Sequence, residues 1–281
     1  MRAAILGADG QLGKAMSARF PHAAPVRRGD LDIADQASVN AFHWGDFDTI
    51  LNAAAYTEVD AAETAVGRSC AWQSNAVGPR NLAEAAIRHG LTLVHVSSDY
   101  VFDGSVSCHP ETESFSPLGV YGQSKAAGDI AVTLAPEHYI LRVSWLVGGG
   151  ANFVRTMTSL AAAGKQVSVV GDQIGRLTFT QQLVDAVDHL LSTKPPPGTY
   201  NCSNDGDPAS WADIARDVFT EQGRSPELVE PVGTAAYFDS RPGAAPRPLH
   251  STLDLAKIKA AGLVPRNWRS ELVDHLRQDK S

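Results

Sequence analysis

The sequence predicts an α/β protein, a Rossmann-like doubly wound parallel sheet with a smaller C-terminal substrate-binding lobe. Three observations predict this fold class. Short apolar runs alternate with Ala-rich amphipathic stretches through the first half of the chain, which is the pattern of β–α–β units. A glycine-rich turn follows the first apolar run and opens the first amphipathic stretch. Beyond residue 146 the pattern loosens into Gly-rich and Pro-rich segments, which favours a separate, loop-rich lobe.

The elements of the first half follow from these runs. The predicted elements are a strand over 2–6, a helix over 11–20, a strand over 48–52, a helix over 75–89, a strand over 91–97 and a strand over 139–143. Gly90 ends the second of these helices. The run LTLVHVS (91–97) is mostly apolar, as expected of a parallel strand buried on both faces. We therefore expect a dinucleotide-binding domain at 1–146, to which 172–202 contributes, and a substrate lobe interleaved with it, mainly at 147–281.

The composition excludes several classes of protein. Among 281 residues, 43% are hydrophobic and 20% are charged, which is typical of an ordinary globular protein. The net charge of −7 argues against binding of nucleic acid or an anionic membrane. Cys70, Cys108 and Cys202 are too far apart for a zinc site or a disulfide framework. The apolar stretches are too short for a signal peptide or a membrane span, so we expect a cytoplasmic protein without a metal.

The stretch GADGQLG (7–13) is the first candidate ligand site. It follows a predicted strand directly and opens a helix, whose free N–H groups attract a pyrophosphate. A glycine-rich turn that binds nothing is the alternative, but this position after an apolar strand favours a dinucleotide. The residues expected at the cofactor are Gly7, Gly10, Gln11, Leu12 and Gly13.

Two arginines follow the next apolar stretch, near the expected position of the adenosine ribose. An arginine there accommodates a 2′-phosphate, whereas an acidic residue favours a free 2′-OH. Arg27 and Arg28 therefore favour NADP over NAD, which stays the alternative cofactor. If the two arginines bind no cofactor, they belong to a solvent-exposed loop. We place Arg27 at the cofactor, and Asp32 and Ile33 at the adenine edge.

Small and polar residues end two of the predicted strands. Ala53, Ala54 and Ala55 would let the backbone run close to the cofactor, although simple packing also explains them. Ser98 follows the buried strand at 91–97. Because the carboxyl ends of parallel strands form the ligand crevice, we expect its hydroxyl to hydrogen-bond a substrate carbonyl. A polar turn at a strand end is the alternative.

Tyr121 and Lys125 are four residues apart, so a helix places them on one face. A tyrosine has a pKa of about 10, and a nearby ammonium favours its phenolate. The pair can therefore donate a proton to a ketone, with Lys125 also holding the nicotinamide ribose. The same spacing occurs by chance on surface helices, but the presence of Ser98 at a strand end favours a catalytic role for the pair.

Together these stretches resemble the extended short-chain dehydrogenase/reductase family, in its dTDP-4-dehydrorhamnose reductase branch. They span nearly the whole chain in order, and SDYVFDG, NAAAYTEVD and the late RPxxSxL are the most specific. The matching stretches are GADGQLG (7–13), NAAAYTEVDAAE (52–63), NAVGPRNLAEAA (75–86), VSSDYVFDG (96–104), SPLGVYGQSKAAGD (116–129), RVSWLVGGGANFVRTM (142–157), DQIGRLTF (172–179), GTYNCSN (198–204) and RPLHSTLD (247–254).

The resemblance implies an NADPH- or NADH-dependent oxidoreductase of dTDP-rhamnose biosynthesis. It would reduce the C4 ketone of a dTDP-4-keto-6-deoxyhexose, with dTDP-L-rhamnose as product in the parent reaction. Carried over by motif, the catalytic residues are Ser98, Tyr121 and Lys125. The substrate-binding residues so implied are Thr57, Val59, Ser98, Asp99, Tyr100 and Trp145 along the sugar, and Asn152 and Arg247 toward the nucleotide. A core role for Trp145 and a surface ion pair for Arg247 are the alternatives.

Two departures from the family pattern bear on these expectations. The hydroxyl residue of the triad is more often Thr in this branch, and Ser98 keeps its oxygen while losing the methyl that fixes the rotamer. Some relatives bind magnesium at a dimer interface through glutamates, and Ala15 stands where one of them lies. We therefore expect no magnesium-dependent dimer. The oligomeric state stays open, with a homodimer as the candidate assembly.

Two other functions stay open at this level. The first is a 4-ketoreductase for another nucleotide deoxysugar, because a few pocket side chains read the sugar substituents. The second is a cofactor-binding regulatory subunit without catalysis, since one group of relatives regulates methionine adenosyltransferase. The presence of Ser98, Tyr121 and Lys125 argues against the regulator.

Overall fold

The computed structural model describes residues 1–239, 241 and 243–278. Its strands are β1 (Ala3–Leu6), β2 (Ala24–Val26), β3 (Thr49–Asn52), β4 (Thr92–Ser98), β5 (His138–Val143), β6 (Leu146–Val147), β7 (Val167–Val170), β8 (Ile174–Gly175), β9 (Thr178–Phe179), β10 (Gly198–Asn201), β11 (Ala209–Ser210) and β12 (Val229–Val232). Its α-helices are α1 (Gln11–Arg19), α2 (Gln36–Ala41), α3 (Ala65–Trp72), α4 (Gly78–His89), α5 (Val120–Val132), α6 (Phe153–Ala162), α7 (Thr180–Thr193), α8 (Trp211–Glu221), α9 (Thr234–Asp239), α10 (Ala256–Ala260) and α11 (Trp268–Gln278).

A parallel sheet of six strands forms the centre of the molecule, in the order β10-β5-β4-β3-β1-β2. Alternate residues of its strands point to opposite faces. Ile5 and Leu51 pack on one face, with side chains from α1 and α7. Leu6 and Ile50 pack on the other, with side chains from α2 and α4. The predicted doubly wound, Rossmann-like α/β fold is therefore confirmed.

The strands and the first helix that the sequence predicted are present, with ends shifted by no more than one residue. The predicted helix over 75–89 is longer. It begins with α3 and continues through a π-helical segment at Gln73–Val77 into α4. Gly90 ends it in the left-handed conformation, with φ of 64°, as a glycine after a helix allows.

The second lobe is built on α6, α8 and α11 with three pairs of short strands, β7 with β12, β6 with β9, and β8 with β11. Its core surrounds the fully buried Trp268 and Phe219. The segment between the two halves of this lobe returns to the central sheet, because β10 pairs with β5 and α7 packs on α1. Across the part of the chain that the structure describes, no helix is long and apolar enough to cross a membrane.

Candidate active site

A cleft of about 400 Å³ opens at the carboxyl ends of β1, β3, β4 and β5. Its walls come from four elements, which are the glycine loop, the turn after β3, the turn after β4 and the first turns of α5. Its lining residues are Gly10, Gln11, Leu12, Ala53, Ala55, Thr57, Val59, Val96, Ser97, Ser98, Asp99, Tyr100, Tyr121, Lys125, Val143, Trp145 and Leu146. The predicted catalytic residues thus meet most of the predicted cofactor and sugar residues in one volume.

The glycine loop forms a cradle with no room for side chains. Gly7 has φ of 74°, and a Cβ there would lie 2.7 Å from the backbone nitrogen of Ala54. A Cβ on Gly13 would lie 2.2 Å from the carbonyl oxygen of Gly7. Helix α1 begins after Gly10, which has no side chain to cap it, so its first N–H groups can bind an anion. These residues fit the pyrophosphate of a dinucleotide.

A smaller cavity of about 100 Å³ continues from the glycine loop toward β2. Its lining residues are Leu6, Gly7, Arg28, Leu31, Asp32, Ile33, Ala54, Ala55 and Ser74. Ala55 lines this cavity and the main cleft alike, so the two join at the end of β3. Asp32 and Ile33, predicted at the adenine edge, both line this cavity.

Arg28, rather than Arg27, lines this smaller cavity. Arg28 lies 3.3 Å from the carboxylate of Asp32. Arg27 lies beside the glycine loop, where it pairs with Asp9 at 3.3 Å, and both of these side chains are largely exposed. The sequence offered the two arginines together, but spacing alone could not decide which of them faces the cavity.

Tyr121 and Lys125 lie one turn apart on α5 and both face the cleft. The ring of Tyr121 packs edge-on against that of Tyr100, with ring centroids 5.5 Å apart. Lys125 is 2% exposed, and its Nζ donates to the carbonyl oxygen of Val96 at 2.6 Å. This bond fixes the ammonium at the floor of the cleft, beside β4.

Ser98 ends β4 and is held by two neighbours. Its Oγ donates to Oδ1 of Asp99 at 3.0 Å and accepts from the backbone N–H of Tyr100 at 3.2 Å. Both Ser98 and Asp99 are buried. The serine oxygen is therefore fixed without the methyl group that a threonine would provide.

Burial governs the titration of the two groups on α5. It raises the pKa of Tyr121 to about 12, although the Ser98 hydroxyl opposes this as a hydrogen-bond partner. Burial also lowers the pKa of Lys125 to about 8, against the opposing effect of the Asp129 carboxylate. The pKa of Tyr121 therefore shifts in the opposite direction to the one expected beside an ammonium, because burial outweighs the hydrogen bond of Ser98 that lowers it. A phenol that stays protonated is suited to donate a proton.

The predicted sugar residues Thr57, Val59, Tyr100 and Trp145 line the same cleft. Trp145 has the unusual φ of 42° for a residue with a side chain. Its indole stacks on that of Trp211 at 3.7 Å between centroids. Trp145 is therefore both a packing residue of the second lobe and a wall of the cleft.

The largest of these cavities, about 530 Å³, adjoins the cleft on the side of the second lobe. It is mostly apolar, with two arginines at its edge. Its lining residues are Asp60, Phe153, Thr156, Met157, Leu160, Val167, Ser168, Val169, Val170, Gln173, Trp211, Tyr237, Phe238, Arg241 and Arg247. Only Arg247 among them was predicted from the sequence, because the lining comes from several segments that lie far apart along the chain.

Arg247 lies where this cavity meets the cleft. Its guanidinium lies 6.0 Å from the ring centroid of Tyr100 and 5.7 Å from that of Phe238. Its Nη2 donates to Oδ1 of Asp60 at 2.7 Å, and its Nη1 donates to the carbonyl oxygen of Ala245 at 2.9 Å. The ion pair considered from the sequence is thus present, at the mouth of the cavity rather than on an open surface.

Asn152 is the one predicted substrate residue that lines none of these cavities among the described residues. Its Nδ2 donates to the carbonyl oxygens of Gly148 and Gly150 at 2.8 and 3.0 Å. Its Oδ1 accepts from the backbone N–H of Arg155 and caps α6. These contacts hold the glycine turn before α6.

Over the described ranges, 1–239, 241 and 243–278, no group of three or more His, Cys, Asp or Glu side chains could hold a metal ion. The three cysteines, Cys70, Cys108 and Cys202, are free thiols.

Comparison with known proteins identifies the family. The family described as the RmlD substrate binding domain matches residues 1–281. A dTDP-4-dehydrorhamnose reductase of Mycolicibacterium smegmatis is 37% identical over 97% of this chain and 84% of its own length. A dTDP-4-keto-6-deoxy-D-glucose reductase of Streptomyces niveus is also 37% identical, over 95% of this chain and 94% of its own length. The crystal structure of dTDP-4-dehydrorhamnose reductase from Bacillus anthracis in complex with NADP, 34% identical, matches with a TM-score of 0.90 over 99% of both chains. The chain therefore belongs to the RmlD substrate binding domain family, within the dTDP-4-dehydrorhamnose reductase branch of the extended short-chain dehydrogenases/reductases that its motifs resemble.

Proposed function

We propose that this protein reduces the C4 ketone of dTDP-4-dehydrorhamnose with NADPH and yields dTDP-L-rhamnose. The observation that carries the proposal is the meeting of Ser98, Tyr121 and Lys125 with the glycine loop in one cleft. The full-length similarity to dTDP-4-dehydrorhamnose reductases supports the choice of substrate.

NADPH, when bound, supplies the hydride, and the residues of the chain position the ketone and manage its proton. Tyr121 donates its phenolic proton to the C4 oxygen as negative charge develops there. The Lys125 ammonium, fixed on the carbonyl of Val96, stabilises the phenolate that remains. The main task of the cleft is to hold the reacting atoms within about 3 to 3.5 Å of one another.

The two larger cavities support a nucleotide sugar as the substrate. We place the deoxysugar in the cleft, between Tyr121 and the wall formed by Trp145, and the thymidine in the apolar cavity against Trp211. Arg247 lies between the two cavities, where a guanidinium can make paired, charge-assisted hydrogen bonds to the diphosphate. On this basis 1–146 with 172–202 would hold the cofactor, and the second lobe would hold most of the substrate.

NADP is the cofactor we propose, with NAD as the weaker alternative. Arg28 lines the cavity assigned to the adenosine and Arg27 lies beside the glycine loop, and each pairs with an aspartate that a 2′-phosphate could replace as its partner. The relative from Bacillus anthracis was solved with NADP, which agrees with this choice.

Reduction of another dTDP-4-keto sugar is the second candidate. It is favoured by the equal identity of this chain to the Streptomyces niveus enzyme, which is named for dTDP-4-keto-6-deoxy-D-glucose. The two sugars carry the same substituents and differ in the configuration of ring carbons, which a few cleft residues would read. A purely regulatory role is disfavoured, because the proton donor and its lysine are both in place.

The experiment is an assay of NADPH oxidation with dTDP-4-dehydrorhamnose and with dTDP-4-keto-6-deoxyglucose as separate substrates. We expect turnover with the first and a kcat/KM lower by about tenfold or more with the second. The reverse order would assign the other sugar, and NADPH binding without turnover of either would favour the regulator.

We further propose a cytoplasmic location, on the basis of the three unpaired cysteines. The net charge of −7 supports the absence of nucleic-acid and membrane partners. The homodimer stays the candidate assembly, and sedimentation with and without a magnesium chelator tests it. With Ala15 in α1, we expect the same mass under both conditions.

A further inference from the structure

The direction of the Ser98 hydroxyl proton is fixed by its neighbours. A hydroxyl has one proton to donate and can accept through its lone pairs. Ser98 Oγ accepts from the backbone N–H of Tyr100, so its proton points to Oδ1 of Asp99 at 3.0 Å when that carboxyl is ionised. Ser98 is also the hydrogen-bond partner of the Tyr121 phenol. In this state Ser98 can accept from that phenol, but it has no proton left for a ketone.

Protonation of Asp99 reverses this arrangement. The carboxyl then donates to Ser98 Oγ, and the serine proton is free to point at the oxygen of Tyr121. The Tyr121 proton is in turn free to point at the substrate. The Asp99 carboxyl and the hydroxyls of Ser98 and Tyr121 then form one directed chain of hydrogen bonds, which ends at the C4 oxygen.

The surroundings of Asp99 allow it to carry a proton near neutral pH. Asp99 is 3% exposed, and burial raises its pKa to about 6, while the hydroxyls of Ser251 and Ser98 and the imidazole of His109 oppose this only in part. The other titratable groups that feel its charge are the phenols of Tyr100 and Tyr121, whose pKa values it raises. A carboxyl is a far better source of a proton here than a phenol with a pKa of about 12.

We propose that Asp99 is the proton store of the reaction and acts through Ser98 on Tyr121. This inference rests on the proposed ketone reduction. As the C4 oxygen takes the proton of Tyr121, the phenolate oxygen takes the proton of Ser98, and Ser98 takes the proton of Asp99. One O–H bond breaks and one forms at each of the two hydroxyls. Asp99 is left as a carboxylate and regains a proton from solvent after the product leaves.

Tyr121 and Asp99 have separate roles in the cleft. Tyr121 contacts the reacting oxygen, whereas Asp99 is a positioning residue that acts through Ser98. Lys125 then stabilises a charge that is short-lived, because the proton chain refills the phenol. A purely structural Asp99 would affect folding but would leave no mark on the pH dependence of turnover.

The test is the dependence of kcat on pH, over about pH 5 to 9, for the wild type, Asp99→Asn and Ser98→Ala. As the pH rises above about 6 and Asp99 ionises, we expect the wild-type kcat to fall about tenfold per pH unit. Asp99→Asn should lose this limb and run at a low, constant rate, and Ser98→Ala should do the same. Asp103→Asn is the matched control, since Asp103 lies in the same turn with its carboxylate on Ser105 N–H, and it should keep the wild-type profile. An Asp99→Asn enzyme that keeps the limb overturns the proposal.

A second measurement does not need turnover, so it separates failure of this inference from failure of the proposed function. Carboxyl ¹³C resonances of aspartate-labelled protein are followed against pH, and the signal lost in Asp99→Asn identifies Asp99. We expect its midpoint near the raised value of about 6, and a higher midpoint in Ser98→Ala, which removes a donor to the carboxylate. A wild-type midpoint at the ordinary aspartate value would overturn the proposal. At a pH of about 8, Asp99→Asn should also melt at a higher temperature than wild type, because the substitution removes a buried charge. This melting transition shows that the variant folds.

Discussion

The Asp129 carboxylate lies one helical turn beyond Lys125 on α5, and both side chains are almost wholly buried. Asp129 is held in turn by Arg142 of β5, whose Nε lies 3.1 Å from its Oδ2. Burial lowers the pKa of Lys125, and Asp129 opposes that shift. The ammonium at the floor of the cleft therefore depends on a buried carboxylate that does not itself line the cleft.

The affinity for NADPH should weaken as the pH rises through about 8, where Lys125 loses its proton. The charged lysine is the form expected to hold the nicotinamide ribose, and it predominates below that pH. Asp129→Asn removes the charge that opposes desolvation, so the midpoint should move to lower pH. The groups that face this site are Tyr121, His95 and Arg142.

Fluorescence titration with NADPH across pH measures this midpoint. Glu84→Gln is the control, since Glu84 pairs with Arg80 on an exposed helix face. An unchanged midpoint in Asp129→Asn would show that Asp129 serves only the packing of α5 against β5.

Replacement of Tyr121 by Phe should lower kcat by roughly 100-fold or more, because the proton donor is lost. NADPH affinity should stay nearly unchanged, since the ring remains in place. Tyr139→Phe is the control, because its phenol donates to the carbonyl of Pro195 at the other end of the sheet. Stopped-flow measurement of the hydride-transfer step compares the three proteins, and a Tyr121→Phe enzyme as fast as wild type would remove Tyr121 from the mechanism.

Gly13→Ala should abolish NADPH binding and destabilise the fold by about 1 to 3 kcal/mol, the usual cost of overpacking. The added methyl would meet the backbone of Gly7 at 2.2 Å, and neither α1 nor the loop can yield without opening the cradle. Gly29→Ala is the matched control, because nothing lies within 4 Å of its Cβ. Urea unfolding and cofactor titration measure both effects, and normal NADPH binding by Gly13→Ala would contradict the assigned cradle.

Arg247→Lys should raise KM for the dTDP-sugar by about tenfold and leave kcat within a factor of about three. A lysine keeps the charge but cannot make the paired hydrogen bonds of a guanidinium to a diphosphate. Arg216→Lys, in an exposed pair with Asp213, is the control. A fall in kcat at unchanged KM would place Arg247 at the reacting sugar instead of the diphosphate.

The sequence could predict the sheet and the cofactor end of the cleft because both depend on residues that are close together in the chain. A glycine loop after a strand and apolar runs of strand length carry their own geometry, and Tyr121 and Lys125 need only a helix to face the same way. The mouth of the substrate cavity could not be predicted in this way. Asp60 and Arg247 are 187 residues apart, and the stacking of Trp145 on Trp211 depends on how the second lobe packs. The direction of the Tyr121 pKa shift also lay beyond the sequence, because burial, unlike spacing, depends on the whole fold.

In the proposed reaction, the phenol of Tyr121, the oxygen of Ser98 and the nicotinamide ring lie around one substrate carbon. A crystal structure of the protein with NADP⁺ and dTDP-L-rhamnose measures this directly. We predict that the sugar C4 lies about 3 to 3.5 Å from the nicotinamide C4, with the attached oxygen within hydrogen-bonding distance of Tyr121. A sugar seated with its C4 away from Tyr121, or a nicotinamide outside the cleft, would contradict the account.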